Sequence, residues 1–304
     1  MSEDPALDRA LGCLLGSAVG DAIGTTLEFA PRDEQPPVRG MTGGGPFRLP
    51  AGCWTDDTSM ALCLADSLLE RGELDERDLM DRFVRWWLEG YNSSTGRCFD
   101  IGLTTKEALT RYRETGEPIA GSEDPLSAGN GSLMRVAPVA IRWHRDRVCA
   151  EEMARRQSRV THAAAAAVEA CALFTGLLVE ALGGATREAV LAPRPWPEGP
   201  SEIASIAAGS FHGRTRDSIR SSGWVVDTLE AALWCVATTS TFEEAVLTAA
   251  NLADDADTVA AVTGQLAGAL DGASAIPPAW LAELAFGDAI ADRARALWLA
   301  GAGS

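Results

Sequence analysis

Two short acidic clusters, Thr55-Asp56-Asp57-Thr58 and Asp254-Asp255-Ala256-Asp257-Thr258, hold the residue types in this chain best suited to chemistry. Each gathers carboxylates and hydroxyls within a few residues and offers only hard oxygen donors, which suit Mg2+ or Mn2+ rather than zinc. Each also stands at the head of an apolar helical run, where Asp, Thr and Ser are ordinary N-caps that need no metal. Capping accounts for one or two residues of a cluster. It accounts poorly for adjacent carboxylates, which repel unless a cation lies between them. In the late cluster, a turn entering a helix can point Asp255, Asp257 and the Thr258 hydroxyl at one ion, with Asp254 left over. Together the two clusters have the donors for a two-metal site.

The elements that must position them are helices. Leu7, Ala10, Leu11, Leu14, Leu15, Ala18, Val19, Ala22 and Ile23 recur at the i, i+3, i+4 spacing of one helical face, and so do Leu79, Met80, Phe83, Val84, Trp87 and Leu88. His162 to Leu182, rich in Ala and Leu, predicts a helix buried on most sides, and further helical runs are expected over about 226–237, 242–252, 259–270 and 278–299. Long alternating strands are missing. The expectation is an all-α globule in which Gly16, Gly20, Gly24 and the Ala163 to Ala167 tract allow close helix packing.

At 304 residues and 46% hydrophobic, the chain can bury a large core. The Pro-rich stretch Leu191 to Ile203 reads as a long loop rather than a linker, because helical patterns resume on both sides, so one domain over 1–304 is expected. No basic segment precedes an apolar stretch at the N-terminus, and the run Leu11 to Ile23 carries Gly16, Ser17, Gly20 and Asp21 and is too short to span a bilayer. Seven scattered cysteines without CxxC spacing suit reduced thiols, so a soluble cytoplasmic protein with no membrane partner is expected. A net charge of -17 with only 26 Lys and Arg argues against nonspecific nucleic-acid binding, which rests on neutralising phosphates.

Five segments in this order resemble the ADP-ribosylglycohydrolase family, which includes enzymes that reactivate ADP-ribosylated dinitrogenase reductase. They are Gly12-Cys13-Leu14-Leu15-Gly16-Ser17-Ala18-Val19-Gly20-Asp21-Ala22-Ile23-Gly24 with Glu28, then Trp54-Thr55-Asp56-Asp57-Thr58, then Gly129-Asn130-Gly131-Ser132-Leu133-Met134-Arg135, then Thr161-His162, and last Asp255-Ala256-Asp257-Thr258. The resemblance implies a single compact, orthogonal all-α domain with a central cleft holding two Mg2+ or Mn2+ ions. Thr55, Asp56 and Asp57 would be ligands from one side and Asp255, Asp257 and Thr258 from the other. The implied reaction is hydrolysis of the bond between the distal ribose and an acceptor, releasing ADP-ribose from a modified protein or a small conjugate.

That chemistry gives the remaining residues roles. Cleavage of an N- or O-glycosidic bond passes through an oxocarbenium-like state, so the site must position the ribose, activate water and assist departure of the acceptor. Glu28, with Asp56 and Asp57, is the expected catalytic carboxylate set, joined by Asp100 in Phe99-Asp100-Ile101-Gly102, which also serves as a substrate contact. Outside the family context Glu28 would read as a surface loop residue and Asp100 as a helix cap. The loop Gly129-Asn130-Gly131-Ser132 can present N–H groups to a pyrophosphate, with Ser132 otherwise a plain N-cap. His162 is a candidate ligand contact, against the commoner reading of a satisfied core histidine. Ala253-Asp254 stands where the family commonly has Gly before the first Asp of the late motif; Asp tolerates the left-handed backbone such a turn needs.

The leading expectation is a metal-dependent ADP-ribosyl-acceptor hydrolase, with arginine favoured on the match around Phe99 to Gly102. Serine, a small guanidine or a nucleic-acid base are other acceptors, the last disfavoured by the acidic surface. The reading from a different class is a noncatalytic ADP-ribose binder or structural protein, which would have no reason to keep a complete ligand set.

Overall fold

Glycine at every fourth position of the first helix sets the architecture. The structure, a computed structural model, describes residues 4–197 and 199–302, so the single-domain expectation falls outside the described residues at 1–3, 198 and 303–304. The α-helices are α1 (Pro5–Gly24), α2 (Asp56–Arg71), α3 (Glu76–Glu89), α4 (Leu103–Thr115), α5 (Ala137–Arg142), α6 (Arg147–Arg159) and α7 (Ala165–Leu182). They continue as α8 (Arg187–Val190), α9 (Ser201–Ala207), α10 (Val225–Thr238), α11 (Phe242–Ala250), α12 (Ala256–Asp271), α13 (Pro278–Glu283) and α14 (Gly287–Ala302). Among the described residues no strand forms, only isolated β-bridges. The fold is the all-α domain that the periodicity predicts.

α1 and α12 lie antiparallel at the centre with their backbones in contact. A Cβ added at Gly12, Gly16, Gly20 or Gly24 would stand 2.3, 2.3, 2.1 or 2.3 Å from the carbonyl oxygen of Gly268, Gly264, Ala260 or Ala256 respectively. Seen from α12, a Cβ on Gly264 or Gly268 would meet the carbonyl oxygens of Gly16 and Gly12 at 2.0 and 1.9 Å. No side chain fits at these glycines. The close approach brings the C-terminal end of α1, with Asp21, beside the N-terminal end of α12, with Asp257.

α1 is buried from Ala10 to Gly24, and α7 nearly as completely. Both are long and apolar enough to cross a membrane by length and composition, α1 because it starts at Pro5, ahead of the run from Leu11 that reads as too short, but 94% and 78% of their apolar windows lie inside the protein, as in core helices. The run expected to start at His162 becomes helical at Ala165, after an extended Ala164. The run expected over 278–299 is two helices, because Leu284 is extended and Phe286 takes φ +57° while the Ala285 N–H donates to the Gly52 carbonyl. The break seats α14 on α2. There Asp66 accepts hydrogen bonds from Arg293 at 2.7 Å, Tyr91 at 2.7 Å and Asn92 at 2.9 Å.

Candidate active site

The N-terminal ends of α2 and α12 converge, and each takes most of its cap from outside its own cluster, the exception being the Thr258 N–H, which donates to Asp257 Oδ1 at 2.7 Å. Thr55 and Asp255 occupy the two N-cap positions, yet neither side chain makes a capping hydrogen bond. For α2 the cap comes from α1. Asp21 Oδ1 accepts from the Thr55 N–H and hydroxyl, each at 2.9 Å, while Oδ2 accepts from the Thr58 N–H at 3.0 Å and its hydroxyl at 2.6 Å. For α12 it comes from the loop after α1, where Glu28 Oε2 accepts from the Ala256 N–H at 2.9 Å and the Asp257 N–H at 3.4 Å. Capping from elsewhere leaves the local carboxylates of both clusters turned toward one another, at the positive ends of two helix dipoles.

The two clusters meet through their hydroxyls. Thr55 Oγ1 lies 3.3 Å from Asp257 Oδ2 and 3.5 Å from Asp57 Oδ2, and Thr258 Oγ1 lies 3.5 Å from the same Asp57 oxygen. Glu28, Asp255 and Asp257 each bring one carboxylate oxygen within 4.8 Å of the others. Asp57 Oδ1 is buried with no protein partner. The cavity over these groups has a volume of about 260 Å3, and Asp56, Asp57, Asp100, Glu28, Asp255, Asp257 and Thr258 all line it, with no Lys or Arg among the lining residues.

Burial and mutual repulsion hold Asp21, Glu28, Asp56, Asp57, Asp100 and Asp255 toward the neutral form. Burial pushes Asp21 up to about 7, with Asp257 adding repulsion. Burial with Asp257 likewise raises Asp255 to about 7 and Asp100 to about 8. Glu28, Asp56 and Asp57 are driven up by burial first and by their acidic neighbours second. So many acids at one point, with no cationic side chain at the cavity wall to offset them, is the environment that a divalent cation relieves. An orphaned buried carboxylate oxygen and an all-oxygen donor set fit Mg2+ or Mn2+.

The other expected residues separate into two groups. Asp100 lines the cavity on a left-handed backbone, φ +57°, rather than capping α4, whose N-cap is Gly102. Gly129, Asn130, Gly131 and His162 line it as well. Asn130 Nδ2 donates to Asp255 Oδ2 at 2.8 Å and so orients that carboxylate. The Gly129 and Asn130 amides are already committed to the Ser127 and Gly223 carbonyls, and the glycines here answer a different need. A Cβ on Gly131 would stand 2.8 Å from His162 Cε1, so the loop must be bare to lie on the imidazole.

Ser132 does not reach the cavity. It is fully buried, its hydroxyl accepts from Ser158 at 2.8 Å, and it caps no helix, since α5 begins only at Ala137. Thr55 also stands behind the lining, held by Asp21. Asp254 is exposed with φ +63°, after Ala253 at φ +60°, and its carbonyl accepts from the Phe29 N–H at 2.7 Å. The left-handed turn survives without glycine, and Asp254 points away from the cluster that Asp255 joins. The residue that sequence reasoning missed is Asp21. Its signal was available as a lone acid within the apolar stretch Ala18 to Ile23.

Comparison with known proteins agrees with this geometry. The family profile described as ADP-ribosylglycohydrolase matches residues 2–304. An ADP-ribosylarginine hydrolase, Tri1, of Pseudomonas putida (strain GB-1) is 50% identical over 298 residues, covering 98% of this chain and 80% of that one. The ADP-ribosyl-[dinitrogen reductase] glycohydrolase of Rhodospirillum rubrum is 34% identical, over 91% of this chain and 90% of its own. A solved structure titled as an ADP-ribosylglycohydrolase-related protein complex superposes with a TM-score of 0.88 at 44% identity, covering 97% of this chain and 99% of that one. With its fold and its convergent acidic clusters, this chain is a glycohydrolase and belongs to the ADP-ribosylglycohydrolase family.

Proposed function

We propose that the chain is a metal-dependent hydrolase that removes ADP-ribose from the guanidinium of a modified arginine. The observation that carries this reading is the convergence of six cavity-lining carboxylates, four of them in clusters at helix starts that are capped chiefly by Asp21 and Glu28. The relatives named for ADP-ribosylarginine support the acceptor. So does the charge of the cavity, because a guanidinium is cationic and suits acidic walls, whereas a nucleic-acid acceptor would bring further phosphates into the same field.

Thr55, Asp56, Asp57, Asp255, Asp257 and Thr258, with Glu28, would hold two Mg2+ or Mn2+ ions. Bound there, such ions supply orientation of ribose hydroxyls and a water of lowered pKa. The chain's own residues do the rest. Asn130 fixes Asp255, and Asp21 fixes the Thr55 and Thr58 hydroxyls, so the donor atoms are set before any ligand arrives. Asp100, which lines the cavity, can pass a proton to the departing guanidine nitrogen as the C–N bond breaks and take one back from the water whose oxygen bonds to the ribose carbon. All seven cysteines are free thiols, which suits the cytoplasmic setting proposed for it.

The test is release of free ADP-ribose from ADP-ribosyl-arginine and ADP-ribosyl-serine peptides with Mg2+, Mn2+ or EDTA. We expect metal-dependent release from the arginine peptide, reduced at least about a hundredfold in Asp57→Ala. Release from serine alone would replace the acceptor. Tight ADP-ribose binding with no release from either peptide would return the noncatalytic reading.

A further inference from the structure

We propose that Arg135 and Thr161 are positioning residues that hold His162 as the Nε2–H tautomer, so that a neutral imidazole donates one hydrogen bond to an oxygen of the ligand in the cavity. The ligand's identity as an ADP-ribosyl group rests on the function proposed above; the tautomer does not.

Arg135 is fully buried and has no carboxylate partner. Its Nε donates to Gln157 Oε1 at 2.8 Å, and Nη2 donates to the Gln157 carbonyl at 2.8 Å and to Thr161 Oγ1 at 2.9 Å. Nη1 has no partner, and the guanidinium lies over the Phe83 ring, 4.6 Å from its centroid. A buried cation with no ion-pair contact, only the longer-range attraction of Asp56, is costly, so packing alone is a poor reason for it.

What it does is dictate the direction of the next hydrogen bond. A guanidinium can only donate, so it occupies a lone pair of the Thr161 hydroxyl. The one other partner of that hydroxyl is His162 Nδ1, at 2.8 Å. The second lone pair could accept from an Nδ1–H, but the buried hydroxyl's own proton would then have no acceptor; donated to Nδ1, it leaves that nitrogen bare and puts the ring proton on Nε2. Nε2 faces the cavity loop, 3.1 Å from where a Gly131 Cβ would stand and 3.4 Å from one at Gly129, with no protein acceptor of its own. Burial, with Arg135 behind it, keeps the ring neutral. An Nε2–H without an acceptor at a cavity wall is a donor waiting for a ligand oxygen.

The chain has three histidines, so ring-labelled protein gives three assignable pairs of nitrogen signals, that of His162 being the one lost in His162→Gln. In the Mg2+-supplemented protein, we expect His162 Nδ1 in the unprotonated range and Nε2 in the protonated range, with added ADP-ribose moving Nε2 more than Nδ1. Thr161→Val should mix the tautomers and raise KM for the arginine peptide roughly three- to tenfold with a smaller change in kcat, and Thr161→Ser should restore both. A wild-type His162 protonated on Nδ1, or an unchanged KM in a folded Thr161→Val, overturns the proposal. If Thr161→Val fails to fold, the wild-type and Thr161→Ser spectra decide it. ADP-ribose that moves no signal anywhere in the protein would instead count against the proposed function.

Discussion

Asp21 shows how one carboxylate can free others for chemistry. By accepting four hydrogen bonds from Thr55 and Thr58 it takes over the start of α2, and Asp56 and Asp57 are left to face the cavity. In Asp21→Asn one oxygen becomes a donor aimed at donors, so we expect a loss of about 2–4 kcal/mol in urea unfolding and weaker Mg2+ binding by calorimetry. Removal of the cation should expose the strain of the whole cluster. Asp21, Asp255 and Asp100 are held near 7, 7 and 8, above their ordinary value of 3.8, so the folded metal-free protein binds more protons than the unfolded chain between those limits. Stability in EDTA is thus relatively high below about pH 4 and falls as pH rises through about 8, and Mg2+ should flatten that fall. Thermal melts at pH 5, 7 and 8.5, with and without Mg2+, test it; a Tm in EDTA that climbs from pH 5 to 8.5 would contradict it. The two acidic clusters were legible in the sequence because their residues are adjacent. Asp21 was not assigned, because its partners lie 34 and 37 positions away and no local spacing records that contact.

The glycine seam makes the contact between α1 and α12 a matter of backbone against backbone. Gly20 is its tightest point on α1, where an added Cβ meets a carbonyl oxygen at 2.1 Å that no rotamer change can move. Gly20→Ala would ordinarily gain helix propensity of about 1 kcal/mol. Here we expect the opposite sign, a loss of about 3 kcal/mol in urea unfolding, together with weaker Mg2+ binding because Asp21 and Asp257 separate. A stabilised variant would show that the two helices slide apart freely. The four-residue period of Gly12, Gly16, Gly20 and Gly24 was visible in the sequence as a licence for close packing. The identity of the partner helix was not, since it depends on a seam whose other half, from Ala256 to Gly268, lies more than two hundred residues further along the chain rather than on any local pattern. The same limit explains the single run expected over 278–299. Its apolar period continues through Leu284 and Phe286, and the break comes from a tertiary bond between Ala285 and Gly52.

Over the whole molecule, helical periodicity with almost no competing strand signal made the all-α class readable, whereas the cavity required the packing of α1, α2 and α12 together. The net charge of -17 adds a property that no single residue holds. ADP-ribose brings a pyrophosphate toward an acidic molecule, so a field of this sign opposes the ligand while favouring a cationic carrier. Two peptides bearing the same ADP-ribosyl-arginine, one flanked by Lys and one by Glu, separate these effects. At low salt, near 0.01 M, the Debye length of ~30 Å lets the field reach across the molecule, and the Lys-flanked peptide should have the lower KM. At about 1 M it shrinks to ~3 Å, and the two KM values should converge with kcat nearly equal throughout, since the flanks lie outside the reacting bond. A preference that persists at high salt would place the discrimination in direct contacts around the cavity mouth, and equal KM values at low salt would mean that bound cations neutralise the field where the substrate enters.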